Sequence, residues 1–126
     1  MNVDMNRAEQ KNRNSGISFN NVTVQELAWG NIDHLNIAVE FASKMKKQTT
    51  IESSNAFDVI LGSDIIAGLY DVNALLTTLV NLSNPDTKIF ISYRARPFAK
   101  EQIFFKKAKE MFDIIEVVSQ WRNAVK

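Results

Sequence analysis

One segment, Phe57-Asp58-Val59-Ile60-Leu61-Gly62-Ser63-Asp64-Ile65-Ile66, constrains this chain more than any other. A short, nearly continuous apolar run is the pattern of a strand buried on both faces, as in a parallel sheet. Parallel neighbours need crossover connections, and the flanking sequence supplies them. Asp33 is placed to cap a helix running to about Lys47, with Leu35, Ala38, Val39, Ala42 and Met45 at helical spacing. Lys44, Lys46 and Lys47 fall near its C-terminal end, where cations suit the helix dipole. A polar loop over 48–55 follows. Asp71 caps a second helix with Val72, Leu75, Leu76, Leu79 and Leu82 on one stripe, stopped by Asn84-Pro85-Asp86.

Lys88–Tyr93 reads as a further strand, broken by Arg94-Ala95-Arg96-Pro97. A third helix is expected over 98–112, with Phe104, Phe105, Ala108, Met111 and Phe112 inward, and a strand over 114–118. Upstream, the alternation of Val22 and Val24 before Leu27 predicts a half-buried strand that ends at Ala28-Trp29-Gly30-Asn31. Strand and helix alternate throughout, the order of an α/β layered fold with a mostly parallel sheet. In that sheet 57–62 is the most buried strand.

Composition narrows the chemistry. The 126 residues are 45% hydrophobic and 23% charged, with a formal net charge of +1. That is an ordinary globular composition for one domain, and no bulk charge recruits nucleic acid or anionic lipid. There is no cysteine, and His34 is the single histidine. Disulfides, thiolate metal sites and cysteine nucleophiles are excluded, and neither a Ser-His-Asp set nor a His-rich metal cluster has enough members. The four glycines form no pair or spaced cluster, so a glycine-rich phosphate or dinucleotide loop is absent. The polar start, MNVDMNRAEQKNRNSG, has no apolar signal core, and no run is long enough to span a membrane. These features place the chain in a soluble, intracellular class. Arg94, Arg96, Lys100, Lys106, Lys107 and Lys109 read as a solvated helix face, because no aromatic residues interleave to stack bases. His34 is expected to be exposed at a helix N-terminus.

Ligands of open parallel sheets bind outside the carboxyl ends of the strands, and two such ends carry distinctive groups. Trp29, beside Gly30, is either an apolar cap on the sheet edge or an aromatic wall for a flat ligand such as adenine. Gly62 and Ser63 are small enough for a ligand to approach the backbone. Asp64 either caps the next turn or accepts a hydrogen bond from an amine at the pocket mouth.

Together, Val-x-x-Leu-x-Trp-Gly and, after a variable insert, Phe-Asp-Val-Ile-Leu-Gly-Ser-Asp-Ile-Ile resemble the second half of the seven-stranded S-adenosylmethionine-dependent methyltransferases, nearest to their methyltransferase-like protein-lysine group. The resemblance runs from about Val22 to Val118. It implies a Rossmann-like α/β fold that uses S-adenosyl-L-methionine as methyl donor and a protein substrate with a target lysine, with neither nucleic acid nor membrane as partner, in the cytoplasm or nucleus. By position, Trp29 matches the tryptophan beside the adenosyl group and Ser63 the small residue whose backbone contacts the cofactor. Asp64 opens the acidic-x-x-aromatic motif near the target amine. Here that motif reads Asp64-Ile65-Ile66-Ala67, without its tyrosine, and Tyr70 stands three positions later as a partial replacement.

The family's first two strands, with the glycine loop and the ribose-binding acid, have no counterpart, and neither does its last strand. Residues 1–126 are therefore expected to form a single partial methyltransferase domain. It comprises a polar helix and loop lead-in over 1–16 and strand–helix repeats over 17–126. As a C-terminal fragment it is expected to be inactive alone. The alternative is a non-catalytic α/β protein-interaction module.

Overall fold

The computed structural model describes residues 22–47, 56–66, 70–94 and 99–117. The order is α1 (Ile32–Lys47), β1 (Val59–Ser63), α2 (Val72–Leu82), β2 (Lys88–Ser92) and α3 (Ala99–Ala108). The strands pair in parallel, Val59 against Lys88 through Ser63 against Ser92. This small α/β arrangement with a two-stranded parallel sheet fits part of the Rossmann-like fold that the resemblance implies. The lead-in over 1–16, the loop 48–55, Ala67 and Val118 lie outside the described residues.

Side chains of a strand alternate between faces. Ile60, Ile89 and Ile91 pack onto a core of Ile66, Leu75, Leu76, Leu79, Phe104 and Ala108 from the β1–β2 crossover, α2 and α3. Asp71 caps α2, its side chain accepting from the N–H groups of Asn73 and Ala74. The helix then buries Leu75, Leu76, Leu79 and Leu82. Each such leucine contributes about 1.5–3 kcal/mol by leaving water. At the far end of the sheet, Thr87 Oγ1 donates to the Phe57 carbonyl at 2.6 Å and Lys88 N–H donates to the Asp58 carbonyl at 2.9 Å. These bonds set the register in which the strands start. On the surface of α1, Lys44 donates to Glu40 and holds its carboxyl below the usual carboxylate range.

Several expectations are corrected. The apolar run is not covered on both faces: Leu61 is 77% exposed and Phe90 59%. The helices α2 and α3 pack on the Ile60–Ile89–Ile91 side, and no described residue covers the other. Residues 22–27 form no strand, and Val24 stays exposed, because β1 pairs with β2 alone among the described residues and offers Val22–Leu27 no ladder. Residues 114–117 form none either, and Ile115 and Val117 are exposed. The third helix ends at Ala108, where Glu110 and Met111 donate to the carbonyls three residues back and tighten the chain into a turn. Asn31 caps α1 in place of Asp33: its Oδ1 accepts from His34 N–H at 3.1 Å, and Asp33 sits in the first turn. No helix of the described residues is long and apolar enough to cross a membrane.

Candidate functional site

The Trp29 turn is the more tightly built of the two candidate regions. Gly30 sits at φ +74, a left-handed conformation that glycine adopts without a Cβ penalty. Its N–H donates to Thr78 Oγ1 of α2 at 2.9 Å, and that hydroxyl in turn donates a hydrogen bond to the Ala74 carbonyl. Ala28 N–H donates to Nδ1 of His34 at 3.0 Å. His34 is thus half-buried and holds the turn, a correction to its expected exposure. Pinned from both helices, Trp29 packs half-buried against the core, with the Tyr70 ring edge-on at 4.8 Å and 65°. Trp29 performs the packing of an apolar cap and keeps part of its surface open.

The second region is the carboxyl end of β1. Ser63 and Asp64 are both exposed there. Asp64 adopts φ 53, and its N–H donates to the Ser92 carbonyl of β2 at 2.8 Å. Ser92 Oγ donates to Ser63 Oγ at 3.1 Å. An open groove of about 360 Å³ runs along this end, lined by Leu61, Gly62, Ser63, Phe90 and Ser92. Gly62 has another use besides ligand approach: a Cβ there would meet Ile65 Cδ1 at 2.6 Å, so the missing side chain is what lets Ile65 pack back onto the strand. Asp64 does not cap the next helix, since Asp71 fills that place.

The structure therefore brings Trp29 to Tyr70, and Ser63 to Asp64 and Ser92. Ile65, which packs on the same core as Trp29, links the two regions. Between them a cavity of about 10 Å³, lined by Ile65, Ile66, Tyr70, Asp71, Val72, Leu75, Glu101 and Phe104, is at most large enough for one water. That cavity holds nothing larger than water, whereas the groove at the carboxyl edge is open. Among the basic residues, Lys106 and Lys109 are exposed and Lys107 donates to Asn73 at 2.6 Å, while Arg96 and the Lys100 side chain lie outside the description. Three participants escaped the sequence reading: Thr78, His34 as an acceptor, and Ser92. Only Thr78 left a trace there, as a polar residue among the inward-facing leucines of α2.

A family model for lysine methyltransferases matches residues 1–111. Over 97 residues the chain is 31% identical to the protein N-lysine methyltransferase METTL21A of Danio rerio, a stretch covering 76% of this chain and 36% of that protein. The chain thus spans about a third of this relative's length. No solved structure matches it. With the family match running through the Trp29 turn, the β1 end and α3, the chain belongs to the lysine methyltransferase family.

Proposed function

We propose that the chain carries the adenosyl and substrate-amine side of an S-adenosyl-L-methionine-dependent methyltransferase acting on lysine of a protein substrate. One observation carries this reading: β1 ends in an exposed Ser63-Asp64 pair, with Asp64 at φ 53 on the carboxyl edge of a parallel sheet, where ligands of such sheets bind. A non-glycine residue in the left-handed region marks a constrained position, and constraint of this kind collects at functional sites.

The residues present fit half of the methyl donor. Trp29 offers a half-buried indole in a fixed turn, suited to an adenine face, and the Tyr70 ring extends that wall. Ser63 supplies small polar surface at the groove. Nothing in the sequence provides a spaced glycine cradle for the methionine end. Each polar group of the donor left without a partner forfeits about 1–3 kcal/mol. The 126 residues alone are therefore expected to bind the donor negligibly at sub-millimolar concentration.

S-adenosyl-L-methionine supplies a methyl group already activated on a sulfonium, so the protein's task is positioning. Asp64 accepts a hydrogen bond from the neutral target amine and aims its lone pair. Trp29 and Tyr70 exclude water beside the adenosyl group.

The test joins the chain to the glycine-loop half that the resemblance implies. Calorimetry with S-adenosylhomocysteine and transfer of labelled methyl to protein extracts then read binding and activity. Binding together with label on lysine is expected; no binding and no label would refute the reading.

The exposed face carrying Leu61 and Phe90 favours a second reading, a non-catalytic protein-interaction module. On that reading Leu61→Asp and Phe90→Asp abolish association with a protein partner, and restoring the glycine loop brings no donor binding.

A further inference from the structure

The carboxyl ends of β1 and β2 are joined by a contact that the roles above leave unused. In the parallel register Ser63 stands opposite Ser92. Ser92 meets its neighbours with two of its polar groups: the hydroxyl donates to Ser63 Oγ at 3.1 Å, and the carbonyl accepts Asp64 N–H at 2.8 Å. Asp64 is the one non-glycine residue at positive φ among the described residues. L-residues avoid that conformation, although aspartate tolerates it better than most. The backbone bond to Ser92 is what holds it there.

We infer that Ser92 is a positioning residue for this site, setting the Ser63 hydroxyl with its side chain and the Asp64 turn with its backbone. The inference rests on the methyltransferase reading for its functional meaning, but its geometry stands apart from it. A serine hydroxyl has one proton and two lone pairs. Ser63 Oγ spends one lone pair on Ser92, so its own proton is left to donate into the groove beside Leu61 and Phe90. Accepting one hydrogen bond polarises the O–H and strengthens the next one. The site thus acquires a side-chain donor for a hydroxyl or carboxylate oxygen of the ligand, beyond the backbone contact expected of Ser63. Because Ser63 and Asp64 both bond to Ser92 at the last pair of the register, a slip or loosening of β2 moves the two together.

Amide hydrogen exchange on the 126-residue chain tests this directly, with Ser92→Ala removing the hydroxyl and Ser92→Thr retaining it. Ser92→Ala keeps the carbonyl that accepts Asp64 N–H but unties the hydroxyl pair that steadies that carbonyl at the strand ends, so exchange at Asp64 is expected to speed by about 3- to 10-fold, with Leu76 and Leu79 amides unchanged. Ser92→Thr restores the wild-type rate. Equal exchange at Asp64 in wild type and Ser92→Ala overturns the inference, as does a loss that Ser92→Thr shares. If Ser92→Ala also loosens Leu76 and Leu79, Ser63→Ala removes the same hydroxyl pair from the other strand and is held to the same criterion. In the joined domain, S-adenosylhomocysteine affinity should fall about 3- to 10-fold in Ser92→Ala and recover in Ser92→Thr. Failure of the wild-type joined domain to bind that probe counts against the methyltransferase reading, while the exchange result still decides the role of Ser92.

Discussion

The two faces of the β1–β2 sheet come from one alternating sequence and have opposite surroundings. Ile60, Ile89 and Ile91 lie against the leucine stripe of α2 and the phenylalanine of α3. One residue away along each strand, Leu61 and Phe90 are 77% and 59% exposed. The open face is apolar at Val59, Leu61 and Phe90 as the covered one is at Ile60, Ile89 and Ile91, and it also carries Ser63, Lys88 and Ser92. What separates them is that α2 and α3 pack on the same side. The comparison teaches that apolar content fixes what a face needs, whereas connectivity fixes what it receives.

The comparison breaks most easily at its strongest contrast. Leu76→Ala should destabilise the chain by about 2–5 kcal/mol, while Leu61→Ala should stay within about 0.5 kcal/mol, both read by urea denaturation. A comparable cost at Leu61 would mean that the open face is covered in solution. Thr78→Val keeps the shape of α2 but leaves the Gly30 N–H without its acceptor, a loss of about 1–3 kcal/mol in the same measurement. Gly30→Ala forces a Cβ into the left-handed region, 3.2 Å from the Ala74 Cβ, and should cost about 1–2 kcal/mol. If either variant is neutral, the Trp29 turn is not anchored on the covered side. Asp71→Ala removes the cap of α2 and should cost about 0.5–2 kcal/mol. Smallest of all, Lys46→Ala breaks a bridge to an exposed Asp58 and should cost no more than about 1 kcal/mol.

Much of the covered side was legible in the sequence. The Asp71 cap and the Leu75-Leu76-Leu79-Leu82 stripe follow from residue type and spacing, and the strands at Val59–Ser63 and Lys88–Ser92 fall within the apolar runs 57–66 and 88–93, since each signal is local. The expected strands at 22–27 and 114–118 failed because alternation says which side chains share a face and is silent on whether a neighbouring strand exists. The candidate site was legible only as residue types at strand ends. Its fine structure was not: the left-handed Asp64, the Ser63–Ser92 hydroxyl pair and the edge contact of Tyr70 on Trp29 all depend on register and chain reversal. At Gly62 the packing of Ile65 was not legible, because a small residue at a strand end can serve a returning side chain as readily as a ligand.

The central claim is that the carboxyl edge of β1 orients a target amine while the Trp29 turn holds the adenosyl group. The most direct test compares Asp64→Asn with Trp29→Ala in the chain joined to a glycine-loop half, measuring donor affinity and turnover for each. Asn tolerates the left-handed backbone, so Asp64→Asn removes charge without forcing the turn. It should lower turnover by about 10- to 100-fold with donor affinity nearly unchanged, as a mispositioned reacting group does. Trp29→Ala should instead weaken donor affinity, because apolar area buried equally in ground and transition states appears as binding. A several-fold to tenfold loss corresponds to about 0.5–1.5 kcal/mol of aromatic contact. Full turnover in Asp64→Asn together with unchanged affinity in Trp29→Ala would contradict the account and return both residues to packing and turn formation.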